Sequence, residues 1–429
     1  MKRRDFAGAA VLLGSLLGVG VAQAAADEPV VVRMIQFDRQ GEADWQKAVI
    51  AQFEKEQSHI KVELISAGDS TERDKALAML AAGDPPEITS GDPYTTISWG
   101  LKGYALDLEP FFQKDGGQDP FKDFYPAVLD MHVVDGHRYA IPEDLQVQGF
   151  LYVKKPFDDA GLAYPDDSWT WSKVEQVSPK LTVDANGDGL PERWAMRDPQ
   201  YLHWWPILWS FGGHFVDDLK TPARFTGDTA GMREGLSWFN RMITNHLMPP
   251  YGSSKGSTGQ NLVVGQTVAM AIGNSLYEQE MIPYADKVPW DVSRLPKGPT
   301  GTNVAFDNAI GWMIVKGSKH PKEAWEVIKY FSSRTAMQLA VQMRGTLVPY
   351  LPVTRDDWMN RYPVPEHRQA FIDAIPTAQP LPIVYDDGLK SIRDNTKNYW
   401  NGKISLPQAL ENMNTQVTAW IKSVNPNAK

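Results

Sequence analysis

The first part of the chain alternates between strand and helix patterns with no hairpin turn between them. Residues 30–37 are apolar and β-branched, residues 43–57 place apolar residues four apart from Trp45 onward, and residues 59–65 alternate apolar and polar side chains. A period of two residues indicates a strand, and a period near 3.6 indicates a helix. Two strands separated by a helix run parallel, because only a crossover can join them. The order therefore predicts an α/β lobe.

The alternation continues further along the chain. Residues 73–82 have the pattern of an amphipathic helix, the turn-forming residues 83–86 end it, and a short strand begins at Ile88. A chain of 429 residues that is 42% hydrophobic and 22% charged is long enough for two lobes and has the composition of a well-packed protein.

The first 24 residues predict export. Arg3 and Arg4 precede an uncharged run over residues 7–21, and small residues at 22–24 follow it. This is the arrangement of a signal peptide: a basic region, an apolar core and a cleavage site. The paired arginines resemble a twin-arginine signal, and a plain secretory signal is the alternative. No later run of 18 apolar residues exists to span a membrane, so a periplasmic location is expected.

Charge and cysteine content exclude several kinds of protein. The absence of cysteine excludes disulfides, thiolate metal sites, a cysteine nucleophile and a lipidated cysteine anchor. The net charge is -9, and it becomes about -11 without the first 24 residues. Since no run of basic residues is present, nucleic acid is not expected as a partner.

Several motifs, taken in order, resemble the family 1 extracellular solute-binding proteins of ABC importers, the carbohydrate-type group that contains the maltose-binding protein. The motifs are QFEKEQSHIKVEL (52–64), AMLAAGDPPEI (78–88), DGHRYAIPEDLQVQGFLYVKKPFDDAGL (135–162), SWTWSKVEQ (168–176), WSFGGHFVD (209–217), VVGQTVAMAIGNS (263–275), RLPKGPTG (294–301), GWMIVKGSKHPKEAWEVIKYFSS (311–333) and MRGTLVPY (343–350). Together they cover nearly the whole chain beyond the signal.

The resemblance implies an α/β fold of the periplasmic binding protein type II, with two α/β lobes joined by a multi-strand hinge. The N-lobe would comprise residues 27–141 plus 296–330, and the C-lobe residues 142–295 plus 331–429. The hinge crossings would lie near residues 140–143, near residues 294–297 and at the end of the helix that starts at Pro321. A ligand would bind in the cleft and be released when the hinge opens.

Three charged residues follow predicted parallel strands. Asp38 and Arg39 come after the first strand, and Asp92 follows the strand at Ile88. In open α/β sheets the carboxyl ends of the strands face the ligand crevice, which makes these residues candidates for ligand binding. The alternative is that they are solvated loop charges.

The resemblance implies four more candidates for ligand binding: Gln146, Asn274, Asn308 and Arg344. Gln146 falls where relatives carry an acidic residue in the crossover, so this chain has an amide there. Asn274 precedes the position of the family's usual aromatic residue, which is absent unless Tyr277 serves.

A positive site is a further possibility. Arg39, His203 and Arg344 together would suit an acidic sugar. Pairing with the chain's own carboxylates is the alternative.

Consecutive tryptophans at 204 and 205 form another candidate site. They cannot both face one side of a regular element, so at least one of them is expected to face solvent or ligand, with Trp204 the candidate. The alternative is a core position, since most aromatic residues fill cores. Trp45 and Trp325, each on an amphipathic helix, are expected in the core.

The segment DANGDGLPER, residues 184–193, resembles the first half of a calcium loop. Asp184, Asn186, Asp188 and Gly189 fit positions 1, 3, 5 and 6 of an EF-hand, but position 12 is Ala195, which cannot close the coordination shell. The apolar helix pattern before the loop also gives way at a proline, residue 179. The dipeptides Asn-Gly and Asp-Gly favour a metal-free turn instead.

These observations predict a monomeric binding protein that captures a carbohydrate and delivers it to the membrane subunits of an ABC importer, with no cofactor and no metal. A non-sugar solute, such as a glycerophosphodiester, phosphate or a polyamine, is the alternative within the same fold. A periplasmic enzyme acting on glycosides is the alternative outside it, although the chain has no G-x-S-x-G and no H-E-x-x-H motif. We therefore expect no enzymatic activity.

Overall fold

The computed structural model describes residues 28–36, 41–67, 71–116, 121–198, 203–305, 308–382 and 387–424. The predicted export signal lies outside the described residues.

The described strands are β1 (Val30–Gln36), β2 (Ile60–Ser66), β3 (Ile88–Gly91), β4 (Val133–Val134), β5 (His137–Arg138), β6 (Ile141–Pro142), β7 (Gln148–Val153), β8 (Trp194–Met196), β9 (Val268–Asn274), β10 (Trp290–Ser293) and β11 (Gly311–Ile314).

The described α-helices are α1 (Glu42–Glu56), α2 (Glu72–Ala81), α3 (Pro93–Leu101), α4 (Glu109–Lys114), α5 (Pro126–Asp130), α6 (Lys154–Ala160), α7 (Trp171–Leu181), α8 (Trp205–Ser210), α9 (Ala230–Thr244), α10 (Glu278–Met281), α11 (Pro321–Phe331), α12 (Arg334–Arg344), α13 (Leu351–Val353), α14 (Gln369–Ala374), α15 (Asp387–Trp400) and α16 (Leu406–Val424). Short π-helical turns cover Gln260–Val264 and Thr354–Trp358, and 3₁₀ turns cover Ser275–Tyr277, Ile282–Tyr284 and Ile375–Thr377.

The first sheet has the strand order β2-β1-β3-β11-β6. Strands β1 and β2 are parallel, in register from Val30 opposite Ile60 to Gln36 opposite Ser66, which confirms the predicted βαβ unit. Strand β11 comes from late in the chain and pairs antiparallel with both β3 and β6. Helix α1 buries Trp45 and Phe53, as its spacing predicts.

The second sheet has the order β10-β7-β9-β8. Strand β7 pairs antiparallel with both β10 and β9, and β8 pairs parallel with β9. Every residue of β7 is buried, as expected for a central strand that is covered on both faces. Strand β8 follows the turn-rich loop at residues 184–193.

The chain passes from the first sheet to the second through residues 143–147. The Glu143 amide donates to the Ile310 carbonyl at 2.7 Å, and the Leu145 amide donates to the Leu347 carbonyl at 3.0 Å. On the far side, the Ser275 amide donates to the Val147 carbonyl at 3.0 Å. We call residues 143–147 the crossing segment. Its main chain therefore forms hydrogen bonds with main-chain groups beside each of the two sheets.

Two later parts of the chain, residue 297 and helix α12, contact elements of the lobe opposite to their own predicted lobe. The Lys297 amide still bonds the Trp169 carbonyl at 2.9 Å, beside the second sheet. Helix α12 follows the boundary predicted at residue 330, yet it packs on α1, where the indole N–H of Trp45 donates to the Ala336 carbonyl at 3.0 Å. The division of the chain between lobes thus stays a prediction.

Helix α7 differs from the sequence expectation. It continues to Leu181, two residues beyond Pro179, where the apolar pattern was expected to stop. Proline removes a single N–H donor, and here it sits in the last turn of the helix. The following turn is held by the Thr182 amide, which donates to the Ser178 carbonyl at 3.0 Å.

Candidate functional site

Polar residues gather at one edge of the first sheet. Register places the ends of β1 and β2 side by side, and it places Gly311 opposite both Gly91 and Pro142. Because β11 is antiparallel, the residues just before Gly311 lie at the same edge as the residues just after β3 and β6. Asp92, Asn308 and the crossing segment therefore meet there, as expected of a ligand-binding edge.

The matching edge of the second sheet lies at the other end of the crossing segment. Gln148, the first residue of β7, is opposite Asn274, the last residue of β9. Arg197 and Asp198 follow β8 nearby, and the Arg197 amide donates to the Met270 carbonyl at 2.9 Å. Only five residues separate the two edges along the chain, so the space between them is the candidate binding cleft.

Arg344 anchors the crossing segment. Its guanidinium lies 3.1 Å from a carboxylate oxygen of Glu143, 3.3 Å from one of Asp144 and 3.6 Å from one of Glu42. It also lies 4.9 Å from the ring centre of Trp45. The group is almost fully buried, so Arg344 neutralises buried carboxylates of this chain, and its predicted contact with ligand stays a prediction.

Asp92 and Asn308 both lie at the first edge, but they differ in hydrogen bonding. The Tyr94 hydroxyl donates to Asp92 at 2.6 Å, so that carboxylate is already oriented by the protein. The side-chain oxygen of Asn308 is buried and accepts no hydrogen bond from the residues that the structure describes. A buried acceptor without a partner is costly, and a ligand hydroxyl would satisfy it.

The second edge carries three amide side chains. Gln146 is buried in the crossing segment. The Asn274 side-chain oxygen accepts the Leu276 amide at 3.1 Å and so caps the turn that follows β9. Gln148 was missed by the sequence reasoning, although the alternation Gln-Val-Gln at 146–148 puts it on the same face as Gln146. Both polar atoms of the Gln148 amide are buried and have no partner in the described part of the chain.

His203 does not supply a positive charge. It packs beside Tyr277, with ring centres 6.1 Å apart. The pKa of His203 is lowered to about 4, chiefly by burial and to a smaller extent by the nearby Arg197, although a main-chain hydrogen bond with Ile272 opposes the shift. The imidazole is therefore neutral at pH 7. With His203 neutral and Arg344 paired, two of the three residues predicted for an acidic sugar lack a free charge.

Arg197 is a buried cation that the sequence reasoning missed. One guanidinium nitrogen donates to the Gly256 carbonyl at 3.0 Å, and the buried Nε finds no partner among the described residues. Burial lowers the pKa of Arg197, which the nearby Asp198 opposes. No local sequence signal marks it, because only the end of β8 brings it to the edge.

Trp204 lies in the core of the second lobe, and the expectation that one of the paired tryptophans faces solvent or ligand is wrong. Trp204 and Trp205 are each 1% exposed. The Trp204 ring stacks on Trp205 at 5.1 Å and meets Trp400 edge-on at 5.6 Å, and its N–H donates to the Tyr251 hydroxyl at 3.2 Å. Helices pack around this segment on more than one side, so both indoles are enclosed.

Asp38 and Arg39 lie outside the described residues. The remaining predicted candidates are brought to the two edges or beside them, except Trp204. Among the described residues, no helix combines the length and the apolar character that crossing a bilayer requires.

The loop at 184–192 is held by its own hydrogen bonds. The two Asp184 oxygens accept the Gly187 and Gly189 amides at 2.8 and 3.0 Å, and Glu192 accepts the Ala185 amide at 2.8 Å. The carboxylates thus bond main-chain N–H groups, an arrangement typical of a self-capped turn.

A different group could hold a metal ion. Asp291, Glu366 and His367 offer donor atoms that all lie within 4.8 Å of one another. The Lys154 ammonium is already 3.1 Å from Asp291 and 3.3 Å from Glu366, and the His367 ring lies 2.9 Å from Asp291. Protein groups therefore already neutralise this cluster.

Replacing Arg344 with methionine is expected to destabilise the fold by about 3–5 kcal/mol, because the carboxylates of Glu143 and Asp144 would stay buried without their cation. Urea unfolding measures the loss. Arg355→Met is the control, since Arg355 pairs with Asp356 at the surface, and it should change stability by less than about 1 kcal/mol. Equal stability of the two variants would contradict the anchoring role.

His203 should titrate near pH 4 in the folded protein, measured by NMR of the imidazole signals. The exposed His137 is the internal contrast, because its hydrogen bond with Asp107 raises its pKa. In the unfolded chain, His203 is protonated already at about pH 6.5, whereas in the folded protein it is protonated only near pH 4. This residue therefore lowers the free energy of unfolding as the pH drops from about 6.5 towards 4. A His203 signal that titrates above pH 6 would contradict its neutral state.

Comparison with known proteins agrees with this architecture. The family model described as bacterial extracellular solute-binding protein matches residues 39–338, more than half of the chain. A protein of Brucella abortus that is named as a binding protein is 26% identical over 323 residues, which cover 74% of each chain.

Solved structures resemble the whole fold. An ABC substrate-binding protein of Listeria monocytogenes, in complex with cycloalternan, superposes with a TM-score of 0.78 at 20% identity and covers 92% of this chain and 99% of that one. The sugar-binding protein MalE of Xanthomonas citri gives 0.78 at 19% identity, with 92% and 98% covered. The predicted periplasmic binding protein fold of two α/β lobes is thereby confirmed. This chain belongs to the family of bacterial extracellular solute-binding proteins.

Proposed function

We propose that this protein captures a carbohydrate between its two lobes in the periplasm and delivers it to the membrane subunits of an ABC importer as a monomer. The observation that carries the proposal is a set of buried amide atoms that find no partner among the described residues: the side-chain oxygen of Asn308 at one edge and both polar atoms of Gln148 at the other. Amides both donate and accept, as sugar hydroxyls do, so a polyol bound between the edges satisfies groups that the protein leaves unmatched.

The similar proteins support a sugar. The Listeria protein was solved with cycloalternan, and the MalE protein of Bdellovibrio bacteriovorus, which superposes with a TM-score of 0.71 at 20% identity, was solved with maltotriose. A non-sugar solute fits the described residues less well. A polyamine needs free carboxylates, yet Asp92 accepts the Tyr94 hydroxyl, and Glu143 and Asp144 bond Arg344.

We infer binding without chemical change. A glycoside-cleaving enzyme needs one carboxylate to give a proton and another to act as base or nucleophile across the sugar. Glu143 and Asp144 both bond the same buried guanidinium, that of Arg344, so neither is free to act on a sugar. These two carboxylates serve the chain's own packing.

Lobe closure would trap the sugar, and Lys220 supports the closed arrangement. It sits in a hairpin that packs on the second lobe, where Phe215 meets Trp205 at 5.0 Å. Its ammonium reaches across to the first lobe, donating to the Asp130 carbonyl at 2.7 Å and to the Val133 carbonyl. Partial burial lowers the pKa of Lys220, and the nearby Asp130 and Asp218 oppose this shift. A ligand that contacts both lobes favours this state by its differential affinity.

A thermal-shift panel of mono-, oligo- and acidic saccharides, with a polyamine and a glycerophosphodiester included, tests the proposal. A neutral saccharide should raise Tm, because a ligand that binds only the folded state stabilises it. Solution scattering should show a smaller radius of gyration with that saccharide bound. A shift caused by the polyamine or phosphodiester alone would reject the carbohydrate, and sugar turnover would reject pure binding.

Lys220→Met keeps the apolar stem but removes the two hydrogen bonds that the Lys220 ammonium forms with Asp130 and Val133. We expect a larger radius of gyration without ligand and an affinity about three- to tenfold weaker for the saccharide that raises Tm, since closure then costs about 1 kcal/mol more. Lys173→Met is the control, because the Lys173 ammonium bonds Gln176 within its own helix and no other side chain of the described residues. Unchanged scattering and affinity in Lys220→Met would remove this residue from the closing motion.

A further inference from the structure

A groove opens on the second lobe between the Gln260–Val264 turn and α10 with the 3₁₀ turn that follows it. We call it the side groove. Its volume of about 610 Å³ lies within the range of small-molecule sites. Tyr284 and Val264, two of the few large apolar side chains that the described residues leave exposed, both line it.

The side groove begins at the candidate cleft. The Ser275 hydroxyl donates to the Leu145 carbonyl at 3.2 Å, which fastens the start of the turn before α10 to the crossing segment. One helical turn later, the side chain of Gln279 lies over Gly345, where an added Cβ would sit only 3.2 Å from it. Gly345 directly follows Arg344. The groove therefore runs outward from the place where the two lobes join.

The groove carries the chemistry that sugars require. The Gln279 amide is exposed and forms no hydrogen bond within the described part of the chain, so it is free to bond hydroxyls. At the far end, the Tyr284 ring is 37% exposed and stacks on no described aromatic ring, which leaves a face open to the C–H groups of a sugar. Gln260 also lines the groove, where its side-chain oxygen accepts the Ser257 amide at 3.3 Å.

We propose that the side groove is a second saccharide subsite, which binds the end of an oligosaccharide whose other end lies in the cleft. This inference depends on the proposed carbohydrate function and narrows its substrate class to chains rather than single sugars. Gln279 would bond the units that leave the cleft, and Tyr284 would stack on the last unit. Affinity should then rise with chain length.

The test uses the full protein and a length series, from monosaccharide to hexasaccharide, of the saccharide class that raises Tm most. Calorimetry should show affinity rising beyond the disaccharide in the unmodified protein. Tyr284→Ala should lower the affinity for the longest chain about tenfold and leave that for the disaccharide unchanged. Gln279→Ala should act in the same direction. Tyr104→Ala is the matched control, since Tyr104 is also 37% exposed but lies on the first lobe.

The outcomes separate the two proposals. If no saccharide raises Tm, the carbohydrate function and the side-groove subsite both fail. If saccharides bind but the Tyr284→Ala and Gln279→Ala variants match the control at every length, the function stands and the subsite is refuted. An equal loss for short and long chains would also refute it, because the groove would then act on the cleft itself rather than on the chain's extension.

Discussion

The two lobes depend on one buried ion cluster. Arg344 ends α12 and holds Glu143 and Asp144 in the crossing segment, while the stem of α12 packs on α1 through Trp45 and Ala336. Burying an unpaired carboxylate costs several kcal/mol, so the crossing segment cannot move away from α12 without leaving charge unmatched. Any hinge motion must therefore keep Arg344 bonded to Glu143 and Asp144.

Arg344 anchors the crossing segment, and the polar groups of the cleft that have no partner within the described part of the chain then determine which ligand it can bind. Three of the polar groups at or beside the described edges are engaged or neutral: Arg344 is paired, Asp92 is hydrogen-bonded and His203 lacks its proton. Among the described residues, the buried atoms without partners at these edges include the Nε of Arg197 and the amide atoms of Asn308 and Gln148. Recognition by amides favours a neutral, hydroxyl-rich solute. Since each amide has donors and an acceptor in fixed directions, it distinguishes solutes by the positions of their hydroxyl groups.

Local patterns in the sequence predicted the parallel βαβ unit and the buried tryptophans of α1 and α11, because periodicity reports which face of an element is covered. Periodicity could not predict Trp204, since a segment enclosed by several helices buries every face. Nor could it give the state of His203, whose pKa is set by burial under Tyr277 and its surroundings. Gln148 became visible only when register placed it opposite Asn274. Tertiary pairing, which one sequence does not display, decided these cases.

The position of β11 has a consequence for biosynthesis. This strand lies between β3 and β6 and supplies the antiparallel partner for both, so the first sheet is discontinuous until residues 311–314 have been made. The ribosome therefore has to synthesise the 310 residues that precede Gly311 before the first sheet can be completed, and contacts between distant parts of a chain form slowly. Until then, the exposed edge of β3 is open to wrong pairing, and a chaperone that shields it during synthesis would raise the yield of folded protein.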